Sequence, residues 1–190
     1  MKLCGLRGSV VQKLNMLFMN FLQDYIKRLV YYKQLGDKTF EQLNDTDFHF
    51  RLSQESNSIE IIIKHLHGNM LSRFTNFLTE DGEKPWRNRD DEFESSHLTK
   101  EENIKLWNAG WQCVLGAVQN LSEADLDKII YIRTEPLKVY DALLRQLAHY
   151  PYHVGQIITT AKAIKDAGFN SLSIPKGGSN NFNEQMKAAH

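Results

Sequence analysis

The chain has 190 residues, and its 23 basic and 23 acidic side chains balance to a formal net charge of zero. This length fits one domain with a hydrophobic core of its own. The balanced charge gives no indication of a nucleic-acid or anionic-membrane partner. We find neither a signal peptide nor an apolar run of about 20 residues, and two cysteines are too few for a disulfide framework. We therefore expect a cytoplasmic protein that binds neither nucleic acid nor membranes.

Apolar residues at helical spacing predict the first two helices. The first is predicted over residues 9–36, with Gly36 as its C-terminal stop. A connector with one short helix follows. The second helix is predicted to begin near Asn57 or Ser58 and to run to about Leu78, and Asn57 and Glu60 have the spacing of a capping box.

A polar stretch over residues 81–96 predicts a long loop after the second helix. A loop of this length inside a compact domain is often functional. Trp86, Arg87 and Arg89 are candidates for substrate contact, since arginine pairs with carboxylates and phosphates. The alternative is a solvated loop in which Trp86 packs against the helices.

A third helix is predicted to begin at Thr99 and to run to about Asn120. Thr99 and Glu102 again have capping-box spacing. Its apolar side includes Trp107 and Trp111, one helical turn apart, which we expect in the core or on a dimer surface.

The last third of the chain is predicted to hold a short β-prone segment and a fourth helix. Ile129–Ile132 is either one strand of a small ribbon or an extended connector. The helix is predicted to begin at residues 134–136 and to stop at Gly168. Pro151 lies inside it and predicts a kink, because proline removes a backbone donor. Residues 171–190 are expected to form a loosely ordered tail.

The most informative motif lies in this fourth helix. His149 and His153 are four residues apart, so on a helix their side chains point the same way. Two imidazoles placed like this can share one divalent metal ion, and a third ligand is then needed from elsewhere. The alternative is a pair of histidines that hydrogen-bond to their neighbours.

The second helix offers two histidines as the third ligand, His65 and His67. They are two residues apart, so they face different sides and cannot both serve one site. Helical periodicity slightly favours His67, which lies nearer the centre of the apolar stripe, although Ile61 widens the apolar face on the side of His65.

This set of motifs resembles the DinB-like superfamily, four-helix-bundle proteins also called YfiT-like metal-dependent hydrolases, which include bacillithiol and mycothiol S-transferases. The family has a histidine in its second helix and a late His-x-x-x-His-x-Gly-Gln. The matching residues here are His65, His149, His153, Gly155 and Gln156. The resemblance favours His65 over His67 and implies an all-α, up-down-down-up four-helix bundle over residues 1–170, with the long polar loop between its second and third helices.

The resemblance also implies a function. His65, His149 and His153 would bind a divalent metal such as Zn, Ni, Fe or Mn, and the protein would be a hydrolase or a thiol S-transferase acting on a small molecule. A low-molecular-weight thiol is one possible co-substrate, and a homodimer is expected. The alternative is a metal-binding or dimerising stress-related bundle without catalytic activity.

Roles are also expected for other residues near these motifs. Gln156 lies one turn after His153 and is expected to orient either this histidine or a bound water molecule. Gly155 is expected to allow a close helix contact. No carboxylate is clearly placed as a general base, and Glu60, Asp90 and Asp141 are the candidates.

Overall fold

The computed structural model describes residues 20–189. This part of the chain forms an all-α bundle, as the sequence predicts, with helices α1 (Phe21–Phe40), α2 (Ile59–Phe74), α3 (Lys100–Gln119), α4 (Val139–Lys165) and α5 (Ser179–Ala188). A small antiparallel ribbon of β1 (Ile129–Ile132) and β2 (Glu135–Lys138) connects α3 to α4. None of the helices described has both the length and the apolar character needed to cross a bilayer.

Aromatic side chains from two helices meet in the centre of the bundle. Helix α2 packs chiefly against α3, and α1 packs chiefly against α4. Trp107 and Trp111 of α3 are buried with ring centroids 5.3 Å apart, and Trp111 also lies edge-on to the buried Tyr150 of α4 at 5.7 Å. The two tryptophans are therefore core residues. Each such aromatic pair contributes about 0.5–1.5 kcal/mol beyond the area it buries.

Only one of the two predicted capping boxes forms. At α3, Thr99 and Glu102 form the box reciprocally, as predicted. At α2 the predicted Asn57–Glu60 box is wrong, because Ser58 is the N-cap and its hydroxyl accepts a hydrogen bond from the backbone N–H of Ile61.

Glu60 instead holds a distant loop against α2. Its fully buried carboxylate accepts hydrogen bonds from the backbone N–H groups of Ser96 and Leu98 and from the Ser95 hydroxyl. Burial alone would raise the pKa of Glu60, but these hydrogen bonds outweigh it and hold the pKa below its ordinary value. The end of the 81–96 loop is therefore fixed to the bundle.

The prediction that the fourth helix begins at residues 134–136 is wrong, because β2 occupies this stretch and α4 begins at Val139. Arg133 and Thr134 form the tight turn with positive φ angles of 56° and 65°. Asp81 accepts hydrogen bonds from both of their backbone N–H groups, each 2.8 Å long. A contact across about fifty residues thus stabilises a turn that its local sequence does not favour.

The C-terminal segment contains one short helix. The stretch expected to be a loosely ordered tail contains α5, although no residue of this helix is buried.

Helix α1 continues past the predicted stop at Gly36 and ends at Phe40. The residues of the predicted first helix before residue 20 lie outside the described part of the chain. Gly36 serves helix packing instead. A Cβ atom at this position would lie 2.4 Å from Cζ2 of the buried Trp107, so only glycine allows α3 to approach this closely.

We expect Gly36→Ala to destabilise the protein by roughly 1–3 kcal/mol, because the added methyl group would displace the packed Trp107 ring. The matched control is Gly116→Ala in α3, where a Cβ would meet no atom of the described residues within 4 Å. That change should be neutral or stabilising by up to about 1 kcal/mol, because alanine is the better helix former. Urea unfolding followed by circular dichroism measures both, and equal effects would contradict the packing role.

Candidate metal centre

Three histidines from two helices converge at one point of the bundle. His65 extends from α2, and His149 and His153 extend from α4. The Nε2 atom of His149 lies 3.3 Å from Nε2 of His65 and 3.1 Å from Nε2 of His153. One ligand nitrogen from each ring can be chosen so that all three lie within 4.8 Å of one another. The structure therefore brings together the three residues that the sequence motifs single out.

Helix α4 supplies two of these rings despite the proline between them. The helix runs without interruption from Val139 to Lys165, so Pro151 does not end it. His149 and His153 keep the same face, and their ring centroids lie 4.7 Å apart. The proline therefore does not separate the two imidazoles.

Hydrogen bonds at the outer nitrogens orient two of the rings. Nδ1 of His65 lies 3.0 Å from a carboxylate oxygen of Glu92, and Nδ1 of His153 lies 2.7 Å from Oε1 of Gln156. Both oxygens act as acceptors, so each Nδ1 carries the proton and each Nε2 presents a lone pair to the centre. The contact from Gln156 to His153 is the one expected from the sequence.

Glu92 is held tightly in its position. The Arg87 guanidinium donates two hydrogen bonds to it, 2.7 and 2.9 Å long. Burial would raise the pKa of Glu92, but the hydrogen bonds from Arg87 and His65 outweigh it and hold the pKa below its ordinary value. Gly68 makes room for this carboxylate, since a Cβ there would lie 2.1 Å from Oε1 of Glu92.

The imidazoles of α4 are kept neutral. Burial, followed by the neighbouring charges of His153 and His65, lowers the pKa of His149 to about 3. Burial and the proximity of His65 likewise lower the pKa of His153 to about 4, against a smaller opposing effect of Gln156. At neutral pH these rings are unprotonated, which is the form that binds metal ions.

His67 lies outside this cluster. It lines a different cavity, of about 530 Å³, together with Lys64 and Trp86. Of the two histidines of the second helix, the structure therefore brings His65, and not His67, to the pair on α4.

A second cavity, of about 470 Å³, adjoins the cluster, and His65 and His149 form part of its wall. Arg87 and Arg89 of the 81–96 loop also line it, whereas Trp86 does not and is 56% exposed. Several lining residues have no motif in the sequence that would have identified them, because distant segments bring them together: Asn69, Arg73, Arg133, Arg145 and Gln146. Glu92 was missed for the same reason.

The remaining candidates do not reach the centre. Glu60 is occupied in fixing the loop, and neither Asp90 nor Asp141 lines the cavity beside the histidines. The expectation that Gly155 allows a close helix contact is wrong for the described residues, because a Cβ there would meet none of their atoms within 4 Å.

Fold and site together define a helical bundle with a three-histidine candidate metal centre. Residues 17–178, most of the chain, match the family model DUF1572, which is described as a protein of unknown function. The chain belongs to this family. No curated protein and no solved structure matches it.

We expect Glu92→Gln to weaken metal binding by roughly 10- to 100-fold, because the residue that orients His65 would lose its charge and its firm attachment to Arg87. Glu94→Gln is the matched control, since this exposed carboxylate lies outside the cluster. Competition with a fluorescent chelator measures both affinities, and circular dichroism checks that each variant is folded. Equal affinities of the two variants would contradict the orienting role.

The lowered pKa values of His149 and His153 predict a pH dependence of stability. Between pH 6.5 and about 4 the unfolded chain binds more protons than the folded protein, so the free energy of unfolding of the metal-free protein should fall as the pH is lowered through this range. His149→Asn should make this fall smaller, because one of the two groups is removed. Urea titrations at several pH values measure it, with the exposed His97→Asn as control. A parent and a His149→Asn variant with the same slope would show that the ring is not kept neutral by folding.

Proposed function

We propose that this protein is a metal-dependent enzyme in which His65, His149 and His153 bind one divalent cation beside a substrate cavity. The observation that carries the proposal is the convergence of the three Nε2 atoms, two of them with lone pairs set by Glu92 and Gln156. A single proton on His149 could satisfy only one of the two facing nitrogens. A cation satisfies all three.

The donor set fits a transition metal. Imidazole nitrogens suit Zn, Ni, Fe and Mn, and three protein ligands leave a coordination position open, which is typical of catalytic rather than structural sites. The cavity lined by His65 and His149 would give a small molecule access to a metal bound there. The open position and the cavity favour an enzyme over a bundle that binds metal only for stability.

A bound divalent metal would supply a Lewis acid that lowers the pKa of a water molecule or a thiol, so that a nucleophile forms at neutral pH. Glu92 and Gln156 would keep the rings of His65 and His153 in the ligating tautomer. The resemblance to DinB-like thiol S-transferases supports thiol transfer, in which sulfur bonds to an electrophilic carbon, the leaving group departs with the bonding electrons, and the thiol proton passes to solvent. Hydrolysis is the other reaction that this arrangement supports.

We expect the protein, purified without a histidine tag, to contain close to one divalent metal ion per chain by elemental analysis. His65→Ala, His149→Ala and His153→Ala should each lose the metal, whereas His67→Ala should retain it, because His67 lines another cavity. If no variant or loading condition gave bound metal, the proposal would be wrong. Loss of metal in His67→Ala alone would indicate that the metal site lies on the other face of α2.

Catalytic activity at this centre is tested by a separate measurement. The metal-loaded protein would be assayed with 1-chloro-2,4-dinitrobenzene and L-cysteine for thiol transfer, and with p-nitrophenyl acetate for hydrolysis. A rate that exceeds background, and that falls to background in His149→Ala but not in His67→Ala, supports catalysis at this centre. Unfolding on removal of the metal by a chelator, with no rate above background, would instead indicate a structural ion.

A further inference from the structure

We infer that the cavity beside the three histidines binds an anionic group, a carboxylate or a phosphate, and that the substrate of this centre is therefore a small anion. Calling the ligand a substrate rests on the proposed function. The anion site itself depends only on the residues of the cavity.

Arginine is the dominant residue of this cavity. Five arginines line it, and no aspartate or glutamate of residues 20–189 does. They come from separate parts of the fold: Arg73 from α2, Arg87 and Arg89 from the 81–96 loop, Arg133 from the β1–β2 turn and Arg145 from α4. Five like charges around one cavity are unfavourable unless anions compensate them.

The carboxylates behind the cavity compensate only part of this charge. Glu83 pairs with both Arg73 and Arg133, at 3.3 and 2.8 Å. Glu92 pairs with Arg87, and the carboxylate of Glu135 lies 3.9 Å from the guanidinium group of Arg145. Three carboxylates thus serve four of these five guanidinium groups, so the positive charges of this set outnumber its negative charges.

Two arginines are fixed and three are available. Arg73 and Arg87 have side chains only 6% and 2% exposed, and they are held by Glu83 and Glu92. Arg133 uses only its Nε atom for Glu83, and the contact of Arg145 to its carboxylate is long. Arg89 lies over the Phe93 ring and has no ion pair among the described residues. Guanidinium groups with free N–H donors are the usual ligands of carboxylate and phosphate.

A buried amide in the same wall also lacks a partner. Gln146 is 3% exposed and lines the cavity, yet its Oε1 atom accepts no hydrogen bond from residues 20–189. An unsatisfied buried polar group costs about 1–3 kcal/mol, so such a group commonly has a ligand or water partner.

The arginines lie where they could hold a bound anion next to the three-histidine centre. His65 and His149 form part of the same wall, so an anionic group bound by the arginines lies beside the imidazoles. The cavity of about 470 Å³ is within the usual range for small-molecule sites, roughly 300–1,000 Å³. The arginines would therefore hold one end of a small substrate while its reactive end meets the centre.

The test is isothermal titration calorimetry with two probes, inorganic phosphate and succinate, on metal-free and metal-loaded protein at low ionic strength. We expect Arg89→Gln, Arg133→Gln and Arg145→Gln each to weaken binding of the preferred probe by about tenfold, since each removes a charged donor. The triple variant should lose binding. The control is Arg51→Gln, an exposed arginine outside the cavity, which should bind like the parent. Circular dichroism checks that all variants are folded.

The outcomes separate this inference from the proposed function. Arginine-dependent binding to a protein that never holds metal would support the anion site while the metal-dependent function fails. A protein that holds metal but binds neither probe would overturn the inference and leave the function standing. Binding that needs the metal and is unchanged in the triple variant would also overturn it, because the anion would then be a metal ligand. A preference for phosphate or for succinate identifies which of the two anions the arginines recognise.

Discussion

The candidate centre depends on the buried contact of Glu92 with Arg87 and His65. Burial would raise the pKa of the Glu92 carboxylate, and the hydrogen bonds from Arg87 oppose this effect. The carboxylate in turn accepts the proton of His65 Nδ1. Gly68 allows Glu92 to lie directly against α2. One interaction thus attaches the 81–96 loop to the bundle and sets the direction of a ligand nitrogen. The long loop is therefore part of the site and not a solvated connection.

The site combines neutral imidazoles with a positively charged cavity beside them. His149 and His153 are kept neutral, because burial and the proximity of the other imidazoles make their protonation unfavourable. The adjoining cavity is positive, because its arginines exceed the carboxylates behind them. A cation at the imidazoles would add further positive charge, which only an anionic ligand offsets without rearranging the protein. Metal binding and anion binding are thus expected to favour one another.

Three features of the fold differ from what the local sequence favours, because a contact with a distant segment decides each of them. Gly36 looks like a helix stop, but the space it leaves for Trp107 keeps it inside α1. Glu60 has capping-box spacing, yet its carboxylate accepts hydrogen bonds from three donors of a remote loop. The turn at Arg133 and Thr134 needs positive φ angles that neither residue prefers, and Asp81 supplies the hydrogen bonds that stabilise it. In each case the deciding contact joins residues that are far apart in the sequence, so the local sequence does not reveal it.

The sequence by itself determined the helical bundle, the α3 capping box and the pairing of His149 with His153, because these follow from periodicities within a few residues. It left open which histidine of α2 joins them, since both lie on or beside its apolar stripe and only the family resemblance favoured His65. The tertiary structure decided that choice by bringing α2 and α4 together. It alone placed Glu92 behind the centre and gathered arginines from four segments around one cavity, because such contacts depend on how the helices pack and carry no periodic signal.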